Sequence, residues 1–251
     1  MRIEIEKALV AAREEARTSG DGEFVQTCEL VGVGTGIEGA NSVDVEGDSV
    51  ESAFDELSEM VNDQGVPLAR ARLIRLFLAW KGHLWSVYLQ GYNFQFGRNI
   101  RQDYALARYW YAKSAERGHS WSQNNLGVLY ADGLGGERDP EKAVMLFMKS
   151  AEGGDITAKS NLGEHFVEGV GVRRNYRKAA KLLTEFLKEA PYSARAHRLL
   201  AKCYEHGVAG RNGLRLAIHH YQEASDFGSL EARAALRRLA AGRASQAKPG
   251  S

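Results

Sequence analysis

The sequence predicts an all-α fold, a right-handed α-solenoid built from helix-loop-helix repeats of about 36 residues each. One residue pattern recurs along the C-terminal part of the chain at steps of 36, 36, 38 and 36 residues. Each copy holds two segments whose apolar residues follow helical spacing, separated by a loop that contains glycine. Because one such helix pair cannot bury its apolar side alone, successive pairs are expected to stack.

Each copy of the repeat is counted from a reference position that is usually leucine. The reference residues are Gln90, Leu126, Leu162, Leu200 and Leu236. Position +1 is small, +4 is aromatic and +7 is glycine in the four full copies: Gly91, Gly127, Gly163 and Ala201; Phe94, Tyr130, Phe166 and Tyr204; Gly97, Gly133, Gly169 and Gly207. Alanine at +17 and a large residue at +21 predict a hole and its knob: Ala107, Ala143, Ala179 and Ala217; Tyr111, Phe147, Leu183 and Tyr221.

The second copy shows why each helix begins and ends where it does. Its first helix is predicted to stop at Gly133, because glycine adopts the left-handed cap without strain. Its second helix begins at Asp139, whose side chain can accept from free backbone amides, and Pro140 follows where its missing N–H costs nothing. Equivalent signals predict helices near 84–96, 104–117, 120–132, 140–153, 156–168, 176–189, 194–206 and 213–227, with a closing helix at about 229–240.

The segments outside the repeats carry weaker signals. We expect an N-terminal segment over residues 1–48, which holds an amphipathic helix at 3–18 and a glycine-rich irregular stretch at 20–48. A degenerate capping helix pair is predicted over 49–83, before the repeat region 84–240, and a disordered tail over 241–251. The spacing G-x-G-x-x-G occurs at Gly34, Gly36 and Gly39, but no helix pattern follows it, so no nucleotide cofactor is predicted.

Charge is distributed unevenly along the chain. Residues 1–66 hold 16 acidic and 4 basic residues, whereas residues 67–251 hold 16 acidic and 29 basic residues. The acidic N-terminal segment is therefore expected to be a solvated arm, or to contact the basic repeat region within the same molecule. The basic residues of the repeat region are scattered and form no recognised nucleic-acid-binding motif, so nucleic-acid binding is not expected.

The quoted positions resemble the Sel-one-like repeats, relatives of the tetratricopeptide repeats with a longer loop inside each repeat. The resemblance covers residues 84–240, and copies two and three match best, through Leu126-Gly127, Gly133, Gly135, Asp139, Lys142-Ala143, Ala151 and Gly154, then Leu162-Gly163, Gly169, Gly171, Val172, Asn175 and Lys178-Ala179. Copy one has Gln90 in place of leucine, and copy four has Ala201 in place of glycine. The resemblance implies an α-solenoid whose concave groove binds a protein or peptide.

The resemblance to the tetratricopeptide repeats implies that positions −5, −2, +2 and +5 of each copy face this groove. The residues are Trp85, Tyr88, Tyr92 and Gln95 in copy one; Trp121, Asn124, Val128 and Ala131 in copy two; Thr157, Ser160, Glu164 and Val167 in copy three; and Arg195, Arg198, Lys202 and Glu205 in copy four. The groove is thus predicted to be aromatic at one end and mostly basic at the other. The copy-one aromatic residues could equally pack as core against the preceding helix pair.

Signals for catalysis or metal binding are sparse. No nucleophile with a base at a defined spacing, no H-E-x-x-H and no phosphate-binding loop occurs. Cys203 and His206 supply only two ligands, so we expect a surface thiol and no zinc site. Two cysteines, Cys28 and Cys203, give no disulfide framework, and residues 1–19 do not resemble a secretory peptide, so we expect a cytoplasmic protein without a membrane segment.

We therefore predict a non-catalytic scaffold or adaptor without cofactor or metal, which binds a protein or peptide in its groove. An alternative is an immunity-type inhibitor that blocks a toxic enzyme, a role that some members of the resembling family have. The acidic arm could then enter the basic active site of that enzyme. A hydrolase that uses the groove is the alternative from another functional class.

Overall fold

The computed structural model describes residues 10–11, 13–14, 17–18, 84–98 and 101–246. Residues 10–11, 13–14 and 17–18 are helical, which agrees with the predicted helix at 3–18 where its residues are described. The glycine-rich stretch 20–48, the capping pair 49–83 and the last residues, 247–251, lie outside the described residues. The domain boundaries at residues 48 and 83 therefore remain predictions.

The chain divides into two compact units, residues 1–117 and 118–251. In the first, helix α1 (Leu84–Phe96) and helix α2 (Tyr104–Ala115) form the first repeat. The Ser114 hydroxyl donates a 3.3 Å hydrogen bond to the Leu84 carbonyl, so the end of α2 lies beside the start of α1 and the two helices are antiparallel. The Asp103 side chain caps α2 by accepting from the amide of Leu106.

The second unit contains the other repeats in chain order. Its helices are α3 (Ser120–Asp132), α4 (Pro140–Glu152), α5 (Ile156–Glu168), α6 (Tyr176–Glu189), α7 (Ala194–Glu205), α8 (Gly213–Asp226) and α9 (Leu230–Gln246), with a short 3₁₀ turn at Gly210–Asn212. Each first helix packs on its second helix, and each pair packs on the next, so the fold is an all-α solenoid. No helix among the described residues is long and apolar enough to cross a membrane.

The predicted helices of the repeat region are confirmed to within two residues at nearly every end. The exception is the closing helix, which was predicted to end near residue 240 but runs to Gln246. The predicted disorder is therefore wrong for residues 241–246. The alanine and arginine residues on both sides of Gly242 favour helix and outweigh one glycine.

The predicted caps are also confirmed. Gly133 ends α3 with a φ of 71°, in the left-handed region, and its amide donates to the Leu129 carbonyl. Asp139 accepts a 2.9 Å hydrogen bond from the amide of Lys142, directly before Pro140 at the start of α4. These local interactions set the helix boundaries independently of how the repeats pack.

The close approach predicted at position +1 is a contact between the two helices of one repeat. A Cβ atom added at Gly91, Gly127 or Gly163 would lie 2.5, 2.7 or 2.9 Å from the side chain at position +21 of the same copy. Those side chains are the centre of the core, with Tyr111, Phe147 and Leu183 all at most 1% exposed. Each first helix therefore packs its backbone directly on the large residue of its second helix.

Candidate functional site

In the second unit, the first helices α3, α5 and α7 lie side by side and expose one line of residues, at position −5. These residues are Trp121, Thr157 and Arg195, and the Trp121 side chain is 48% exposed. By contrast, Asn124 and Ser160 at position −2 are 6% and 4% exposed, and Val167 at +5 is fully buried. Of the predicted groove positions, −5 is the one that faces solvent in all three helices.

A polar ladder joins these first helices. The Asn161 side-chain amide donates a 2.9 Å hydrogen bond to the Asn124 Oδ1, so α5 is tied to α3. Arg195 Nη1 donates a 3.1 Å hydrogen bond to the Asn161 Oδ1, so α7 is tied to α5. Asn124 and Asn161 are both buried, and each supplies the hydrogen-bond partner that the other needs. Asn124, which was predicted to bind a partner, is thus used inside the protein.

The basic residues of this face are paired with acidic residues of the preceding copy. Arg195 forms an ion pair with Glu164. The Lys202 ammonium lies 2.8 Å from the Glu168 carboxylate, and Arg238 lies 2.7 Å from Glu205 in the same manner. The face predicted to be mostly basic is therefore a row of alternating charges. In the two latter pairs a basic residue at +2 meets an acidic residue at +5 or +6 of the previous copy.

Position +5 has a second, internal role that the sequence analysis missed. The Tyr111 hydroxyl donates a 2.7 Å hydrogen bond to Gln95 Oε1, and the Tyr221 hydroxyl donates a 2.8 Å bond to Glu205 in the same way. Burial and this carboxylate together raise the pKa of Tyr221. Where +21 is not a tyrosine, in copies two and three, +5 is apolar, namely Ala131 and Val167. Gln95 therefore serves the buried tyrosine of its own repeat.

We expect Gln95→Ala to lower the free energy of unfolding by about 1–3 kcal/mol, because the buried Tyr111 hydroxyl loses the acceptor that Gln95 provides. The double variant Gln95→Ala/Tyr111→Phe reproduces the arrangement of copy two, so it should regain most of this loss. Urea denaturation, monitored by circular dichroism, measures the stability of both variants. A double variant less stable than Gln95→Ala would contradict the assignment.

The aromatic residues of copy one form a continuous row along α1. Ring centroids are separated by 5.1 Å between Trp85 and Tyr88, 6.2 Å between Tyr88 and Tyr92, and 4.6 Å between Tyr92 and Phe96. Tyr88 also contacts the buried ring of Tyr111 at 5.8 Å. At least one of these residues therefore packs within its own repeat, and packing against the preceding helix pair concerns residues outside the described ranges.

A cavity of about 380 Å³ lies where copies three and four meet, between α6, α7, α8 and the loop 190–193. The buried His197 and the neighbouring His220 line it, and their Nδ1 atoms are 2.9 Å apart. Burial, together with His197 and His219, lowers the pKa of His220 to about 4. At neutral pH this imidazole is therefore uncharged and can act as a hydrogen-bond acceptor.

The structure gives no support to metal binding by the cysteine and histidines of copy four. No group of three or more potential ligands is suitably arranged among the described residues. Cys203 is fully buried, which raises the pKa of its thiol to about 12, so the expectation of a surface thiol is wrong. The equivalent residue of copy two, Leu129, is also fully buried, so the aligned repeats already indicated a core position.

Comparison with known proteins agrees with the repeat geometry. The sequence profile of the Sel1 repeat matches residues 88–119, 122–155, 156–186 and 194–228, together more than half of the chain. The chain belongs to the Sel1 repeat family. Sel1 repeats generally mediate protein–protein interaction, and the family is generally of a non-catalytic scaffold type. No curated protein sequence matches this Sel1 repeat protein.

Two solved structures share the fold. One is a protective antigen present in uropathogenic Escherichia coli strains that displays an SLR fold, with 27% identity, a TM-score of 0.64 and 75% of this chain covered. The chain spans only 40% of the length of that antigen. The other is a Sel1 repeat protein from Oxalobacter formigenes, with 23% identity, a TM-score of 0.53, and coverage of 75% of this chain and 72% of the other.

Proposed function

We propose that this Sel1 repeat protein is a non-catalytic adaptor that binds a protein or peptide on the face formed by α3, α5 and α7. The observation that carries the proposal is Trp121, a large aromatic side chain that is 48% exposed on a first helix. Tryptophan and arginine are the residues most enriched among those that dominate binding energy at interfaces. A cytoplasmic location, inferred from the cysteine content, is part of the same proposal.

The charges of this face suggest how a partner would be oriented. Arg195 and Glu164 are 48% and 30% exposed in their side chains, and Lys202 and Glu168 are 33% and 38% exposed. Such half-exposed pairs contribute little to stability, but they can exchange partners with a bound chain at modest cost. We therefore propose Trp121 as the anchor and Glu164, Arg195, Arg198 and Lys202 as the residues that fix orientation. The copy-one residues Trp85, Tyr88 and Tyr92 remain candidates for partner contacts made by the first unit on its own.

The test is to capture a partner from the cell extract, identify it by mass spectrometry and measure its affinity for variants. We expect Trp121→Ala to weaken binding by about 30-fold, the effect of losing a hot spot worth roughly 2 kcal/mol. Met145→Ala is the matched control, because Met145 is 57% exposed but lies on the second helix α4. Equal effects of the two substitutions, or none from Trp121→Ala in a folded protein, would show that this face does not bind.

A further inference from the structure

The junction between copies three and four departs from the repeat. The step from Leu162 to Leu200 is 38 residues, whereas the other steps are 36. Relative to copy two, α6 is one residue longer than α4, and the linker 190–193 has four residues where the linker 153–155 has three. The lengthened linker brings Pro191 and Tyr192 to the edge of the cavity described above. The cavity therefore lies at the junction whose spacing differs from that of the other copies.

The side chain at position +20 also differs in this copy. Copies two and three carry Leu146 and Leu182 there, whereas copy four carries His220. His220 stacks on Tyr204, with ring centroids 5.5 Å apart and planes 21° apart. His197 and His220 thus stand at positions where copies two and three have Gln123 or Lys159 together with a leucine, and a buried polar group of this kind needs defined partners.

The hydrogen bonds of this pair fix where its lone pairs lie. His197 Nε2 is 2.9 Å from the Pro191 carbonyl, which can only accept, so His197 carries its proton on Nε2. In the neutral pair His197 Nδ1 must then accept, and His220 Nδ1 must donate to it. The proton of His220 is consequently on Nδ1, and its Nε2 presents a lone pair. Among the described residues this atom has no hydrogen-bond partner, and it is not sealed from solvent.

The other groups around the cavity are electron-rich as well. The half-buried Glu223 contributes a carboxylate, and no lysine or arginine is among the described residues that line the cavity. At its edge Tyr192 is 78% exposed and Phe227 is 37% exposed, and their rings meet edge to face at 5.7 Å. Imidazole lone pair, carboxylate and aromatic faces together favour a cation that has N–H donors and a flat surface.

We propose that this cavity binds the guanidinium group of an arginine side chain from a partner peptide. The planar guanidinium stacks on the aromatic rings and donates to Glu223 and to His220 Nε2. An anion would be repelled by Glu223, and no group of three or more metal ligands is present among the described residues. The helix α7 contributes to both sites, but none of the face residues Trp121, Glu164, Arg195, Arg198 and Lys202 lines the cavity. The two binding proposals can therefore be tested separately.

The test uses an acetylated and amidated five-residue peptide with arginine at its centre and glycine elsewhere. Binding to the full chain is followed through the imidazole NMR signals of His197 and His220 at about pH 8, above the usual range of imidazole pKa values and well above the His220 pKa of about 4. We expect saturable shifts of both histidines. The same peptide with citrulline, a neutral isostere of arginine, should bind roughly tenfold or more weakly, because a charge-assisted hydrogen bond is lost.

Two variants locate the site. Glu223→Gln should weaken the arginine peptide roughly tenfold, whereas Glu185→Gln, the equivalent position of copy three outside the cavity, should not change it. His220→Leu restores the residue type of the neighbouring copies, so it should fold and still lose affinity. Equal binding of the citrulline peptide, equal binding of a lysine peptide, unshifted histidine signals, or full affinity of Glu223→Gln would each overturn the guanidinium assignment.

Discussion

The substitution Gly171→Ala is expected to lower the free energy of unfolding by about 3 kcal/mol or more. Gly171 lies in the loop of copy three with a φ of 69°, a conformation that costs any L residue with a side chain. A Cβ atom there would also lie 2.2 Å from the carbonyl oxygen of Pro140, at the start of α4 in copy two. Because that oxygen belongs to the backbone of a helix, it cannot move aside without separating the two repeats. Urea or thermal denaturation measures the loss.

Gly207→Ala is the control that separates the two causes. Gly207 has a φ of 87°, but no atom lies within 4 Å of the Cβ that alanine would add. It should therefore show the conformational cost alone, about 1 kcal/mol. If the two variants lose the same stability, the contact with Pro140 has no energetic weight, and Gly171 is only a turn residue.

The helices could be predicted because their boundaries depend on local chemistry. Gly133 and Asp139 determine an end and a start through their own backbone and side chain, and such signals are readable without knowledge of the tertiary structure. The closing helix was the exception, since its end depends on the balance between Gly242 and the good helix formers that surround it.

The candidate site was predicted less well because it depends on how neighbouring copies are offset. A base at +2 reaches an acid at +5 or +6 of the preceding copy, as Lys202 reaches Glu168, and this offset is a property of packing. The pairing of Gln95 with Tyr111 was readable, because +5 and +21 change together among the copies. The cavity at His220 was not, since it follows from the path of the linker 190–193.

The second large effect is expected at the buried amide pair of the polar ladder. Asn161→Leu leaves the Asn124 side chain buried without its donor, and it removes the acceptor of Arg195. We expect a loss of roughly 2–3 kcal/mol, because an unsatisfied buried polar group costs its full desolvation. Lys202→Gln, which disrupts a half-exposed ion pair between α5 and α7, should cost only about 0–1 kcal/mol. Chemical denaturation of the two variants compares them directly.

The double variant Asn124→Leu/Asn161→Leu distinguishes between two roles of the amide pair, a contribution to stability and the positioning of α3 against α5. If the amides contribute mainly stability, the double variant should be at least as unstable as Asn161→Leu. We expect it to regain part of the loss instead, since two apolar side chains can pack where one apolar and one polar side chain cannot. The amide pair would then act chiefly to fix α3 against α5 in a single register, because its hydrogen bond is directional and an apolar contact is not. Faster amide hydrogen exchange in α3 and α5 of this stable double variant is the measurement that supports this role, and unchanged exchange would contradict it.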